Sequence, residues 1–377
     1  MKVIILGAGL IGAPMALDLV KDNEFEVGVA DIDKPALAKL ENQNISLIEI
    51  DLSIPENVQK IVREYDYVIN AVPGSLGFKT LRSIIEAGKD TVDIAFYEND
   101  PFELDQLAKE NNVTAIVDCG VSPGLHNILI GNVAQKLDSI EDITIFVGGL
   151  PQVKELPFEY KAVFSPSDVI EEYIRPARIK VNGETVIKAP LSDLEIIDFP
   201  EVGSLEAFNS DGLRTLLHTI DVPNMKEKTL RYPGHIEKIS LLKQIGLFNK
   251  EKLSLNGTEI KPIDLAIKLL KEEWKLKEGD KDLTLLKVNI IGKKENKKYK
   301  YTYDLLDYYD DSTATISMAR TTGYTATCML RLLASGQYKE AGISPPEFVG
   351  KYSEHTEFIL SELRKRNVIV NESILEL

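Results

Sequence analysis

The sequence predicts an α/β fold: a Rossmann-type doubly wound parallel sheet joined to an α+β domain whose sheet is mostly antiparallel. Three observations lead there. Short apolar runs alternate with helical periodicity as far as Asp118, the pattern of a parallel sheet covered on both faces. A glycine-rich turn follows the first apolar run. After about residue 140 the strand-like runs are separated by long connections instead of regular helices, which marks an antiparallel sheet with a few helices.

The elements follow in order. Lys2–Leu6 is a buried strand and 10–21 a helix, then come strands at 25–30 and 46–52. A Pro-started helix spans 55–64, and a strand at 67–72 ends on Pro73-Gly74. Helix 76–87, strand 91–95, helix 101–111 and strand 113–118 complete the first part. Right-handed crossovers limit such a β-α-β series to a doubly wound sheet. Beyond it, strands are expected at 143–147, 160–164, 178–181, 283–291 and 299–305, and helices at 323–333 and 347–365. The basic run Lys293, Lys294, Lys297, Lys298 and Lys300 reads as a solvated hairpin tip.

The chain has 377 residues, 59 acidic and 44 basic, for a net charge of −15. Its length suits two domains: a dinucleotide-binding domain at 1–125, with 320–377 packing back on it, and a substrate domain at 126–319. So acidic a chain repels phosphate backbones, which argues against nucleic acid. No apolar run is long enough to span a membrane, and the start lacks a signal-peptide layout. The two cysteines, Cys119 and Cys328, form no CxxC, and the four histidines form no HExxH. A cytoplasmic protein without a metal is expected.

Gly7-Ala8-Gly9-Leu10-Ile11-Gly12 sits where a dinucleotide demands it, after a strand and opening a helix. Gly7 permits the tight turn, Gly9 the approach of a pyrophosphate, and Gly12 close helix–sheet packing. The helix start supplies N–H groups and partial positive charge. Asp31 ends the second strand, 19 positions after Gly12. A carboxylate there binds ribose hydroxyls and repels a 2′-phosphate, so NAD is expected over NADP. Val72 and Gly74 end the fourth strand and are expected at the cofactor, because such loops line the ligand crevice.

Asp93 and Tyr97 follow the fifth strand at the same sheet edge. The segment from Asp118 to Asn127, DCGVSPGLHN, turns at Pro123-Gly124 into a helix that begins near His126. Further on, Ser167 or Asp168 could cap a short helix on which Glu171 and Arg175 stand one turn apart. Arg214 and Arg231 each lie beside turn residues, and an arginine fork suits a substrate carboxylate.

Together these segments resemble the saccharopine dehydrogenase-like family, closest to its NAD-dependent lysine 6-dehydrogenase branch. The resemblance runs nearly end to end, through LGAGLIG, AVPGSLGF, DCGVSPGLHNILIG, VGGLP, FSPSDVIEEYIRPARI, SDGLRTLLHTI, TLRYPGHIEKI and RTTGYTA. Saccharopine-forming reductases resemble one another in a GLDPG turn followed by Asp-His. Here Ser122 replaces that aspartate and His126-Asn127 replaces the pair, which favours a simpler amine. The resemblance implies oxidative deamination of the lysine ε-amine with NAD, and a homodimer, which makes 126–319 the substrate and dimerisation domain. In that reaction Arg214 and Arg231 are expected to serve the substrate carboxylate. His126 and His235 are base candidates, and Asp93, Tyr97 and Glu172 could hold an ammonium or orient water. Two other readings stand beside it: a saccharopine-type enzyme joining or splitting an amino acid and an aldehyde, and a non-catalytic NAD-binding regulator.

Overall fold

The computed structural model describes all 377 residues, which fall into two compact units. The first comprises residues 1–138 and 318–371, and the second 139–317 and 372–377. No helix is long and apolar enough to cross a membrane.

The first unit is built on a seven-stranded sheet. Its strands are β1 (Lys2–Leu6), β2 (Glu26–Asp31), β3 (Ser46–Glu49), β4 (Tyr67–Asn70), β5 (Asp90–Asp93) and β6 (Thr114–Ile116), with β17 (Gly342–Ser344) from late in the chain. The order is β17-β6-β5-β4-β1-β2-β3 and every pair is parallel. Apolar side chains cover both faces: Ile4, Leu6, Val58, Val62 and Val68 share a cluster on one, and Val3, Ile5 and Ile69, which alternate with them along β1 and β4, are buried on the other. Continuous burial on two faces is why β1 reads as an unbroken apolar run. The order reverses at β1 and β4, so the glycine turn and Ala71–Gly74 leave the sheet together at the switch point, where such sheets hold ligands.

The late helices Tyr324–Ala334 and Ser353–Lys365 belong to this unit. Asp18, on helix Gly12–Leu19, is buried against them. It accepts from Arg331 Nη1 at 2.8 Å, Arg366 Nε at 2.7 Å and Thr327 Oγ1 at 2.6 Å. Burial alone would raise the Asp18 carboxyl, but the two guanidinium groups outweigh it and hold it below its ordinary value.

The unit boundary falls after residue 138, not after 125 as the sequence suggested. Helix Leu125–Ala134 is buried along nearly all its length in the first unit. It crosses helix Pro346–Gly350 so closely that a Cβ on Gly131 would lie 2.3 Å from the Glu347 carbonyl oxygen. The return to the first unit likewise ends at 371, and the last six residues join the other sheet.

The second unit carries β7 (Ser139–Pro151), β8 (Ala177–Val181), β9 (Glu184–Lys188), β10 (Glu195–Phe199), β11 (Gly203–Asn209), β12 (Asn224–Arg231), β15 (Asp282–Lys294), β16 (Lys297–Tyr308) and β18 (Val370–Glu376). A separate hairpin pairs β13 (Leu253–Leu255) with β14 (Thr258–Ile260). The main path is β10-β11-β12-β7-β15-β16-β18, with β8 bridging β12 and β9. The β12–β7 pair is parallel, while β10–β11, β11–β12, β15–β7 and β15–β16 are antiparallel. The lysine run is the β15–β16 hairpin tip, turning on Glu295 and Asn296 with φ of 50° and 63°, the geometry of a tight primed turn. The strand expected at 160–164 does not form. The segment is a buried loop tied by Ala162 N–H to the Trp274 carbonyl at 2.8 Å, so its apolar residues belong to a core cluster rather than a ladder.

Candidate functional sites of the two units

In the first unit the glycine turn is shaped by contacts that exclude side chains. Gly7 has φ of 115°, and a Cβ on Gly12 would fall 2.0 Å from the Gly7 carbonyl oxygen. A Cβ on Gly9, by contrast, would meet nothing within 4 Å. The N–H groups of Gly9, Leu10 and Ile11 carry no hydrogen bond within the chain, and Leu10 is 49% exposed at the tip. Open space beside unbonded N–H groups at a helix start suits a pyrophosphate. Asp31 is bonded to the same loop: Oδ2 accepts from Ala8 N–H at 2.6 Å and Oδ1 from Asp33 N–H at 2.9 Å. The donor set therefore fits a dinucleotide, with Gly9, Leu10 and Ile11 on its phosphates and Asp31 on a ribose. Val72 and Gly74 are buried where β4 gives way to helix Gly74–Glu86.

The other first-unit candidates are set deeper. Asp93 is fully buried, with Oδ1 accepting from Ala95 N–H at 2.7 Å. Tyr97 packs edge-on to Phe78 at 5.6 Å within an apolar cluster. Asn127 ties its own turn, accepting from Gly124 N–H and donating to Glu347 Oε2, both at 2.9 Å. His126 is fully buried, and neither ring nitrogen has a hydrogen-bond partner. Burial pushes its imidazole down to about 3.

In the second unit the structure brings Glu172, Arg231 and His235 into one cluster, together with Tyr160, Tyr173 and Trp274. Glu172 and Tyr173 come from helix Pro166–Ile174, Arg231 from the end of β12, and His235 from the first position of helix His235–Gln244. Helix Pro166–Ile174 has Ser165 at its N-cap, two or three residues before the caps suggested by sequence, because Pro166 fits a first helical position. Glu206 on β11 fixes the later helix start, its carboxylate accepting from Gly234 N–H at 2.9 Å and Ile236 N–H at 3.2 Å. Arg231 is 2% exposed. Its Nη2 donates to Glu172 Oε2 at 2.8 Å, its Nε to the Tyr173 hydroxyl at 3.0 Å, and its Nη1 to the Leu230 carbonyl at 2.9 Å. The guanidinium also stacks over Tyr160, 4.6 Å from the ring centre. The carboxylate grip expected of Arg231 is thus exercised on the chain's own Glu172. Arg214 is not in this cluster's bonding. It is 5% exposed with φ of 48°, held in a buried turn before helix Leu216–Thr219.

His235 also differs from the sequence expectation. Its Nδ1 faces the Phe158 carbonyl at 2.9 Å, and its Nε2 faces the Tyr173 hydroxyl at 2.9 Å. A carbonyl only accepts, so Nδ1 carries the proton and Nε2 accepts from Tyr173. Both ring nitrogens are engaged, which leaves none for a substrate proton. Burial and the neighbouring Arg231 push the ring down to about 3.

A pH effect follows for the two buried histidines. Their folded values lie below the unfolded value of 6.5. Their stabilising contribution is therefore present above pH 6.5 and lost as pH falls toward 3, because the unfolded chain binds the protons first. Each should cost about 2 kcal/mol at pH 5. Urea unfolding should show this as a loss of stability between pH 7 and 5, and His126→Gln should reduce the slope by about half. A His126→Gln slope equal to that of the wild type would remove His126 from the account.

Sequence reasoning passed over Tyr160, Tyr173, Trp274 and Glu206. Tyr173 adjoins Glu172 in IEEYIRP, but only the fold turns its hydroxyl toward Arg231. Glu206 carried no local signal, since its partners lie about 30 residues away.

The parallel sheet, glycine turn and acid at the end of β2 define a Rossmann-type nucleotide-binding unit. Comparison with known families agrees: the saccharopine dehydrogenase NADP binding domain matches residues 3–116, and the saccharopine dehydrogenase C-terminal domain matches 120–369. The chain belongs to the saccharopine dehydrogenase family, whose members are oxidoreductases. It is 25% identical over 278 residues to the mitochondrial alpha-aminoadipic semialdehyde synthase of Mus musculus, covering 70% of this chain and 30% of the relative. It is 22% identical to the carboxynorspermidine synthase of Vibrio cholerae, over 91% of each chain. Apo saccharopine dehydrogenase (L-Glu forming) from Saccharomyces cerevisiae shares the fold, with a TM-score of 0.80 at 17% identity over 99% of both chains.

Proposed function

We propose that the protein is an NAD-dependent oxidoreductase that deaminates the ε-amine of lysine. The products are 2-aminoadipate 6-semialdehyde, which cyclises to a piperideine carboxylate, together with ammonia and NADH. One observation carries the reading: open space at Gly9 lies beside three unbonded N–H groups and a carboxylate bonded to the same loop. A bound nicotinamide supplies a hydride acceptor. Gly9, Leu10 and Ile11 hold the phosphates, and Asp31 holds the ribose and disfavours a 2′-phosphate. An amine substrate is supported by the second-unit cluster, where the arginine is withdrawn and the group that reaches solvent is an acid, Glu172.

The printed names of the relatives favour a second reading, cleavage of a secondary amine such as saccharopine with NADP. Absorbance at the NADH band decides between them. Lysine with NAD should give NADH and ammonia, saccharopine should give little, and Asp31→Ala should narrow the preference for NAD over NADP by about tenfold, roughly 1.4 kcal/mol. Turnover of saccharopine with NADP and none of lysine would overturn the proposal. An unchanged cofactor ratio in Asp31→Ala would remove that residue from selectivity.

A further inference from the structure

The second unit contains a hydrogen-bonded chain whose direction is fixed from end to end. His235 Nδ1–H donates to the Phe158 carbonyl, so its Nε2 accepts from the Tyr173 hydroxyl. Burial pushes the Tyr173 phenol up to about 12, so it keeps the proton it donates. With its own proton committed, the Tyr173 oxygen accepts from Arg231 Nε at 3.0 Å, and Arg231 Nη2 donates to Glu172 Oε2 at 2.8 Å. Each member is locked by packing: Trp274, Tyr160 and Phe158 surround the His235 ring at 5.1–6.4 Å.

The chain ends at a group that reaches solvent. The Glu172 side chain is 23% exposed, against 2% for that of Arg231. Only Oε2 of Glu172 is engaged, and Oε1 accepts no hydrogen bond. A carboxylate with one oxygen clamped from behind and the other open is arranged to meet a hydrogen-bond donor.

We propose that Glu172 Oε1 is the proton acceptor for the substrate's ε-ammonium, and that Arg231, Tyr173 and His235 are positioning residues that hold it in place. The inference rests on the amine-oxidising reading above. In this step an N–H bond of the ammonium breaks and its electron pair stays on nitrogen. The proton bonds to Oε1, which leaves a neutral amine beside a neutral carboxyl. Only then can the carbon release hydride readily, because the nitrogen lone pair must stabilise the developing cation. Burial helps the transfer from both sides, raising a carboxyl and lowering an ammonium. Glu172 itself lies above its ordinary value through burial, with Arg231 pulling the other way. The remaining groups that face it are Asp168, which raises it further, Arg175, which lowers it, and the phenols of Tyr160 and Tyr173. The histidines are unsuited: His235 has both nitrogens engaged, and His126 is fully buried.

The test uses the full chain with lysine and NAD. Glu172→Gln can still accept from Arg231 but cannot take the proton. It should lower kcat by about 100-fold or more and abolish the acidic limb of the kcat/KM profile, with the KM for NAD unchanged. Arg231→Gln removes the positive charge and should move that limb to higher pH. Glu172→Asp should keep the limb at reduced rate, and circular dichroism confirms folding of each variant. A wild-type rate and acidic limb in Glu172→Gln would overturn the proposal while leaving the deamination reading intact. Binding gives an answer independent of turnover: calorimetry with NADH present should show the wild type preferring lysine to norleucine, which lacks the ε-nitrogen, by about tenfold. Glu172→Gln should lose that preference. If the wild type yields no NADH from lysine, the deamination reading falls; equal binding of lysine and norleucine by the wild type overturns the role of Glu172.

Discussion

Arg231→Ala should destabilise the second unit by about 3–5 kcal/mol, the usual cost of removing one partner from a buried ion pair. The guanidinium satisfies Glu172, Tyr173 and the Leu230 carbonyl at once and stacks on Tyr160. Its removal leaves a poorly hydrated carboxylate and a cavity. The chain's single tryptophan reports on this directly, since Trp274 packs at 5.3 Å against Tyr160 and 6.3 Å against Tyr173. Denaturant unfolding followed by its fluorescence should show an earlier midpoint. The double variant Arg231→Met, Glu172→Leu should recover much of the loss, because an apolar pair of similar volume needs no desolvated charge. A substrate clamp behaves differently, raising the KM for the substrate while stability stays within about 0.5 kcal/mol. A loss below about 1 kcal/mol would show that the pair is not a structural element.

Gly12→Ala and Gly9→Ala should separate two functions within one turn. At Gly12 the new methyl would lie 2.0 Å from the Gly7 carbonyl oxygen and 2.9 Å from its carbon, so the helix must lift from the strand. The expected result is a lower melting temperature and cofactor affinity reduced by about 100-fold, some 2.7 kcal/mol. At Gly9 nothing lies within 4 Å, so stability should change by about 0.5 kcal/mol or less. Yet the methyl stands in the space a pyrophosphate uses, and affinity should still fall. Thermal melts beside NADH calorimetry give both numbers. A Gly9→Ala protein that binds NADH as the wild type does would place the dinucleotide elsewhere.

Most of the first sheet was legible because β1, β2, β4, β5 and β6 are buried along most of their length and the crossovers from β1 to β6 are short; β17, which joins the edge from far along the chain, was not read. β1, β2 and β4 fall within two residues of their expected bounds at nearly every end, and the glycine turn, Asp31 and Ala71–Gly74 meet at the switch point. The second unit was harder. β10, β11 and β12 went unread because Glu206, Lys228 and Arg231 interrupt the apolar pattern, and each is buried against a partner distant in sequence. Tyr160–Phe164 misled in the opposite sense, since an apolar run can line a core without joining a ladder. The helix expected at 347–365 is two helices that break at Tyr352, a division that periodicity alone does not reveal. For the candidate residues, residue type was readable but accessibility was not. An arginine beside a turn could equally face a ligand or a neighbouring glutamate, and only packing distinguished the two.

The contacts of Asp18 bear on how the polypeptide matures during synthesis. Its partners Arg331 and Arg366 follow it by 313 and 348 residues, and β17 reaches the edge of its sheet after 225 residues of intervening chain between Ile116 and Gly342. An emerging nascent chain therefore holds an unneutralised carboxylate and an unpaired sheet edge until more than 300 further residues have been added. At about 5–20 residues per second, that interval lasts tens of seconds. A sheet whose first six strands emerge early but whose partners follow so much later stays incomplete for that interval, which makes chaperone engagement during synthesis a physical expectation for this topology.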